Sequence, residues 1–155
     1  MRGKRSKKRL IIPDPIFKSR VVSRMINAVM TRGKKSIARD VVYSSINKLN
    51  EDEKEALKIF EQAVKNVMPQ QEVRSKRVGG ATYQVPMPLK HDRAEALAVK
   101  WVVDAARSKK GKTINEKLYE VLRDSYQNSG DAIKKRDDVH RMAEANRAFA
   151  HFARF

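Results

Sequence analysis

A chain of 155 residues with 41% apolar content is enough for one buried core and short of two. Its 35 Lys and Arg against 18 Asp and Glu leave a formal charge of +17, more than solubility calls for, so a polyanionic partner is expected. Nucleic acid leads; a lipid surface is second, because a lipid-binding helix concentrates bulky apolar residues and this chain has one Trp. The absence of Cys excludes disulfides and thiolate metal sites and suits a reducing compartment. No apolar run approaches the ~20 residues of a membrane span, and residues 1–10 lack the apolar region of a secretory signal, so a soluble, intracellular protein is expected.

Residues 1–9, MRGKRSKKR, concentrate Arg2, Lys4, Arg5, Lys7, Lys8 and Arg9 without apolar periodicity. Such a segment follows a phosphate backbone when bound, or serves as a solubilising tail. Residues 1–12 read as a basic extension and 13–155 as a single helical domain. Leu10, Ile11 and Ile12 form a short apolar anchor before the turn at Pro13-Asp14-Pro15.

From about Lys18 to Arg32, Val21, Val22, Met25, Ile26, Val29 and Met30 recur at helical spacing, and Gly33 closes this first helix. Arg32, Lys34 and Lys35 cluster at the junction, suited to a helix C-terminus and to phosphate. RGKKS superficially resembles a nucleotide-binding loop, but Ala28 stands where its first glycine is needed and Lys35 separates Lys34 from Ser36, so that reading is rejected. A second helix from Ser36 to Asn50 turns Ile37, Val41, Val42, Ile46 and Leu49 inward. Asn50 and Glu53 suggest a capping box for a third, with Leu57, Phe60, Val64 and Val67 inward and Pro69 as its stop.

Residues 72–89, EVRSKRVGGATYQVPMPL, are two extended runs joined by Gly79-Gly80, the pair best able to take positive φ in a two-residue hairpin turn. Pairing Val78 with Ala81 sets Arg77 against Thr82, Lys76 against Tyr83, Ser75 against Gln84 and Arg74 against Val85. Neither face is apolar enough for a core, so the hairpin reads as an arm offering cations to phosphate and Tyr83 as a stacking face. A solvated surface hairpin is the bland alternative.

Asp92 and Glu95 suggest a cap for a fourth helix reaching Lys109, with Leu97, Trp101 and Ala105 inward; Trp101 is expected in the core or a subunit contact rather than as a base platform. Arg93, Lys100 and Arg107 align at spacing seven, along a phosphate ridge or a solvated face. Thr113 and Glu116 form a third candidate capping box, opening a helix with Leu118, Val121 and Leu122 inward. A sixth helix from Asp131 to Phe149 has Val139, Met142, Ala143 and Asn146 on one face. Lys134, Lys135 and Arg136 crowd its first turns, where the helix dipole disfavours cations and an external anion would favour them. Phe149, Phe152 and Phe155 make a core lid or a partner contact.

No enzyme is legible. His91, His140 and His151 are scattered, His140 and Glu144 read as a surface pair, and no carboxylate pair or glycine-rich phosphate loop stands out, so no cofactor, metal or small-molecule substrate is assigned. From the residues alone an RNA binder and an architectural DNA-binding protein with a basic β-arm stay close, with a protein-interaction scaffold using the phenylalanine tail as a third reading.

RVGGATYQVP (77–86), DDVHRMAEANRAFAHF (137–152), MTRGKKS (30–36) and PDPIF (13–17) together resemble the S seven family of small-subunit ribosomal proteins, bacterial type, from end to end. The resemblance implies a mainly α fold: a six-helix body with one long hairpin protruding between the third and fourth helices. It implies a structural constituent of the ribosome that binds the 3′ major domain of small-subunit rRNA and organises assembly of the head. The tail cations, Arg32, Lys34, Lys35, Arg74, Lys76 and Arg77 would hold rRNA, with Lys134, Lys135 and Arg136 as additions. The tip from Val78 through Gly79, Gly80, Ala81 and Thr82 to Tyr83, and the segment of His140, Arg141 and Arg147, would border exit-site tRNA and the mRNA exit path. Head proteins S nine, S eleven and S nineteen become candidate neighbours, in a cytoplasmic or an organellar ribosome.

Overall fold

The computed structural model describes residues 3 and 9–154, Arg154 by its backbone alone. Arg2, Lys4, Arg5, Lys7, Lys8 and Phe155 therefore lie outside the described residues. In chain order come α1 (Arg20–Val29), α2 (Lys35–Asn47), α3 (Glu53–Val67), β1 (Gln71–Val78), β2 (Ala81–Pro88), α4 (His91–Ser108), α5 (Ile114–Tyr126), α6 (Asp131–Ala145) and a terminal 3-10 helix (Arg147–Arg154). The expected architecture of six α-helices with a hairpin between the third and fourth is met.

One contiguous core draws on every α-helix: Val22 and Met25 of α1, Val42 and Ile46 of α2, Phe60 and Val64 of α3, Val102 of α4, Leu118 and Leu122 of α5, and Ile133 of α6. Each such side chain taken fully out of water contributes about 1.5–3 kcal/mol before entropy is charged against it. Small residues bring the backbones together, with Ala56 and Ala63 on α3 and Ala98 and Ala106 on α4 almost wholly buried.

The hairpin has the expected register, Val78 opposite Ala81 through Arg74 opposite Val85, continued to Gln71 opposite Pro88. Gly79 and Gly80 take φ of 57° and 90°, which a side chain rarely tolerates. The expectation that neither face lies on anything apolar is corrected. Val85 is fully buried, α6 packs on β1, and β2 runs against the terminal 3-10 helix.

Other expectations need correction. α1 ends at Val29 instead of Arg32, because Met30 is already extended and Thr31–Lys34 form a turn in which Arg32 and Gly33 have φ of 52° and 76°. Lys34 N–H donates to Thr31 O across it at 3.1 Å. Ile37 is 56% exposed, and Ala38 and Ser45 take the buried places on α2. On α4 the buried stripe is Ala94, Ala98, Val102 and Ala105, so Leu97 and Trp101 lie on a half-buried flank, where Trp101 still packs against the core. α6 stops at Ala145, with Ala132 and Ile133 buried and Met142 49% exposed. At the N-terminal anchor Leu10 and Ile12 face outward and only Ile11 is half-buried.

Capping separates the three candidate boxes. Thr113–Glu116 is formed, with Thr113 N–H donating to Glu116 Oε2 at 3.3 Å; the Thr113 side chain first, and this backbone bond second, hold that carboxyl below its ordinary range. Asn50–Glu53 is not: Asp52 caps α3 by accepting Lys54 N–H at 3.1 Å, and Asn50 accepts Asp52 N–H. Asp92 and Glu95 cap nothing. Both lie within α4 and face α1.

Candidate nucleic-acid interface

The basic residues divide by what they face. Arg32, Lys34 and Lys35 are exposed and, among the described residues, meet no carboxylate. The turn that carries them is fixed by two consecutive positive-φ residues. Lys35 is the first residue of α2 and Lys34 its N-cap, so two cations sit at a positive dipole end where an anion is the favourable neighbour.

Along the hairpin the cations diverge. Arg74 Nε donates to Glu72 Oε1 at 2.6 Å, and Arg93 reaches Glu72 Oε2 at 3.3 Å, so one carboxylate gathers two of the candidate contacts. Lys76 Nζ donates to the Phe152 carbonyl at 2.9 Å. Arg77, next to the tip, is exposed and has no partner among the described residues. Ala81 and Thr82 are open, but Tyr83 is half-buried, its ring 5.3 Å from Phe149 and 5.0 Å from Phe152. The structure thus brings Tyr83, Phe149 and Phe152 into one aromatic group.

The row of Arg93, Lys100 and Arg107 is exposed along α4, yet Arg107 donates to the Ala28 and Val29 carbonyls that end α1. Lys100 has no partner among the described residues. At the start of α6, Lys134 lies 3.7 Å from Asp131. Arg136 donates to Asp137 Oδ1 at 2.8 Å and to Asn66 O at 2.6 Å, and Lys135 is exposed. His140 does not meet Glu144. Its Nε2 accepts the Gln70 N–H at 3.1 Å, while Glu144 holds Arg147 at 3.2 Å and Asp138 holds Arg141 at 3.7 Å. Arg9 is exposed.

Sequence reasoning missed two buried polar arrangements. Glu95, 1% exposed, lies between Arg24 at 3.0 Å and Arg20 at 3.6 Å, and Asp92 is 3.4 Å from both guanidinium groups. The Arg24–Glu95 contact is coulombic in kind, off the line of a hydrogen bond. His91, Asp92 and Glu95 also come close enough to share a cation, but the two guanidinium groups already on those carboxylates repel one. Their signal was present as Arg20/Arg24 at spacing four and Asp92/Glu95 at spacing three, without anything local to say that the two helices meet. The second arrangement is Asp14, buried in its turn. It accepts the Ile16 and Phe17 N–H groups at 3.1 Å and the Tyr43 hydroxyl at 2.7 Å. Burial first, and the Asp14 carboxylate second, push the Tyr43 phenol up to about 12.

Among the described residues no helix is long and apolar enough to cross a membrane. The family model described as Ribosomal protein S7p/S5e matches residues 1–147. Small ribosomal subunit protein uS7 of Fervidobacterium nodosum is 53% identical over 153 residues, 98% of this chain and 99% of that one. The proteins of the same name from Thermotoga maritima and Pelagibacter ubique are 52% and 49% identical, covering 98% and 97% of this chain and 99% and 97% of their own lengths. A basic helical body with a glycine-turned hairpin, matched along nearly all its length by proteins of one kind, belongs to the ribosomal protein S7p/S5e family.

Proposed function

We propose that this protein is a structural, non-enzymatic constituent of the small ribosomal subunit that binds the 3′ major domain of its rRNA and organises assembly of the head. The family supports the ribosomal and RNA-binding part of this reading. The observation that carries the rest is the exposed turn between α1 and α2. Among the described residues it offers the side chains of Arg32, Lys34 and Lys35 to an anion while pairing none of them within the fold. Arg77 at the hairpin tip and Lys100 and Lys135 on the helices extend the same supply of uncommitted cations.

The mechanism is electrostatic and geometric. RNA strands that converge at a junction repel one another, and a rigid body that neutralises phosphates from several strands lowers that cost by releasing counterions. Selectivity comes from shape, because the deep major groove of A-form RNA is closed to side chains. The hairpin tip from Val78 to Tyr83 and the segment from His140 to Arg147 lie beside exit-site tRNA and the mRNA exit path in this reading, and proteins S nine, S eleven and S nineteen are its neighbours. The architectural DNA alternative has less support, since the hairpin is braced by its own terminal helix.

A competition assay tests the proposal. Folded 3′ major-domain rRNA should displace labelled RNA well below the concentration at which random duplex DNA does so at equal phosphate. Affinity should fall by roughly three to five decades between low and moderate salt for six to ten phosphate contacts, if duplex behaviour carries over. Equal competition by DNA, or binding indifferent to salt, refutes it.

A further inference from the structure

Where α2, α4 and α5 converge beside the α1–α2 turn, the surface is indented by a hollow of about 280 Å³. Its floor is apolar, with Ala38, Val41, Val103, Ala106 and Leu118, and Ile37 and Ile114 stand at its lips, 56% and 37% exposed. Lys34 and Arg107 supply its charge, Thr31 its hydroxyl, and among the described residues no carboxylate lines it. An isoleucine left this open on an amphipathic helix loses the burial its neighbours enjoy. A hollow just under the roughly 300 Å³ at which pockets for drug-sized ligands begin admits a single flat ring system, not a helix or a strand.

We propose that this hollow receives one unpaired nucleobase of the bound RNA, with its phosphate held by Lys34 and Arg32. The inference rests on the RNA-binding reading above and adds to it a contact of a different kind from phosphate neutralisation. Charge complementarity selects the occupant: an apolar ring bearing an adjacent anion matches an apolar floor beside uncommitted cations. RNA is recognised at loops and bulges by taking such bases out of the stack and covering their faces. Arg107 is held in place by the Ala28 and Val29 carbonyls, so one wall of the hollow is set before any ligand arrives. Thr31 is exposed and lines the hollow, and its hydroxyl is the group proposed to meet a base edge.

The test separates base insertion from phosphate contact. Ile37→Ser and Ile114→Ser, measured on the full chain with folded 3′ major-domain rRNA, should each lower affinity about tenfold, within the range of one lost base contact. The slope of log affinity against log salt should be unchanged. Lys34→Ala should instead reduce that slope by about one. Because the chain has no cysteine, Ile37→Cys carrying a photoreactive benzophenone gives a unique crosslinker. It should mark a single unpaired nucleotide. Full affinity in both serine variants, crosslinks spread over helical RNA, or a crosslink to an acidic protein segment in assembled subunits would overturn the inference. Loss of RNA binding by the unmodified protein would instead refute the functional reading beneath it.

Discussion

The two ends of α1 treat positive charge in opposite ways. At its start, Arg20 and Arg24 face the carboxylates of Asp92 and Glu95 on α4, and Glu95 is buried between them. Just beyond its other end, Arg32, Lys34 and Lys35 stand on a turn with no carboxylate within reach among the described residues. The first group holds two helices together; the second is left for something outside the fold. The count of 35 Lys and Arg conceals this division, because each cation is counted alike whether or not the fold pairs it.

The largest effect should come from breaking the internal group. Glu95→Ala leaves Arg24, itself only 15% exposed, with the exposed Asp92 as its one remaining counter-charge among the described residues, and stability should fall by up to about 3–5 kcal/mol in denaturant titration. The molecules that remain folded should bind RNA with little change. Next, the triple replacement of Arg32, Lys34 and Lys35 by Ala should lower rRNA affinity by about two decades and flatten the salt dependence by two to three contacts, with the melting temperature nearly unchanged. A comparable loss of stability would place these residues in the fold and erase the distinction. The same replacement at Lys134, Lys135 and Arg136 should mix both effects, since Arg136 ties α6 to the Asn66 carbonyl of α3 and Lys135 is uncommitted.

The smallest effect is confined to alkaline solution. The Tyr43 phenol is raised above its value of 10.0 in the unfolded chain, so between pH 10 and about 12 the unfolded state releases a proton that the folded state keeps. Tyr43 therefore contributes its full stabilisation below pH 10 and loses it as pH rises toward 12. Tyr43→Phe should flatten that part of the stability profile, and ultraviolet titration should show one late tyrosinate fewer.

Much of this was legible from residues alone where the signal is local. Gly79-Gly80 sets the turn, the period of two sets every pair above it, and the register follows without reference to the body. Phe60 and Val64, or Leu118 and Leu122, sit four apart and could only face inward. The pattern misled where a second arrangement satisfied the same residues. Asp92 and Glu95 have the spacing of a cap, but opposite charges on α1 hold Glu95 more strongly than its own helix end does. Leu97 and Trp101 are the bulkiest apolar residues on α4, yet alanines and valines occupy the buried stripe because closely approaching helices leave little room for large side chains. For the candidate interface, the clusters were visible as composition. Which cations are already spent was not, since the pairing of Glu72 with Arg74 and Arg93, or of Arg107 with the end of α1, depends on tertiary approach.

The brace of the hairpin by the tail carries a consequence for how the molecule is made. Tyr83 leaves the translating ribosome well before Phe149 and Phe152, the rings that cover it. In that interval the two strands have their glycine turn and their ladder but no cover on the Tyr83 side, and isolated hairpins are marginal in water. Contacts so distant in sequence close late. The arm therefore reaches its final shape only once Phe149 and Phe152 are there to cover Tyr83.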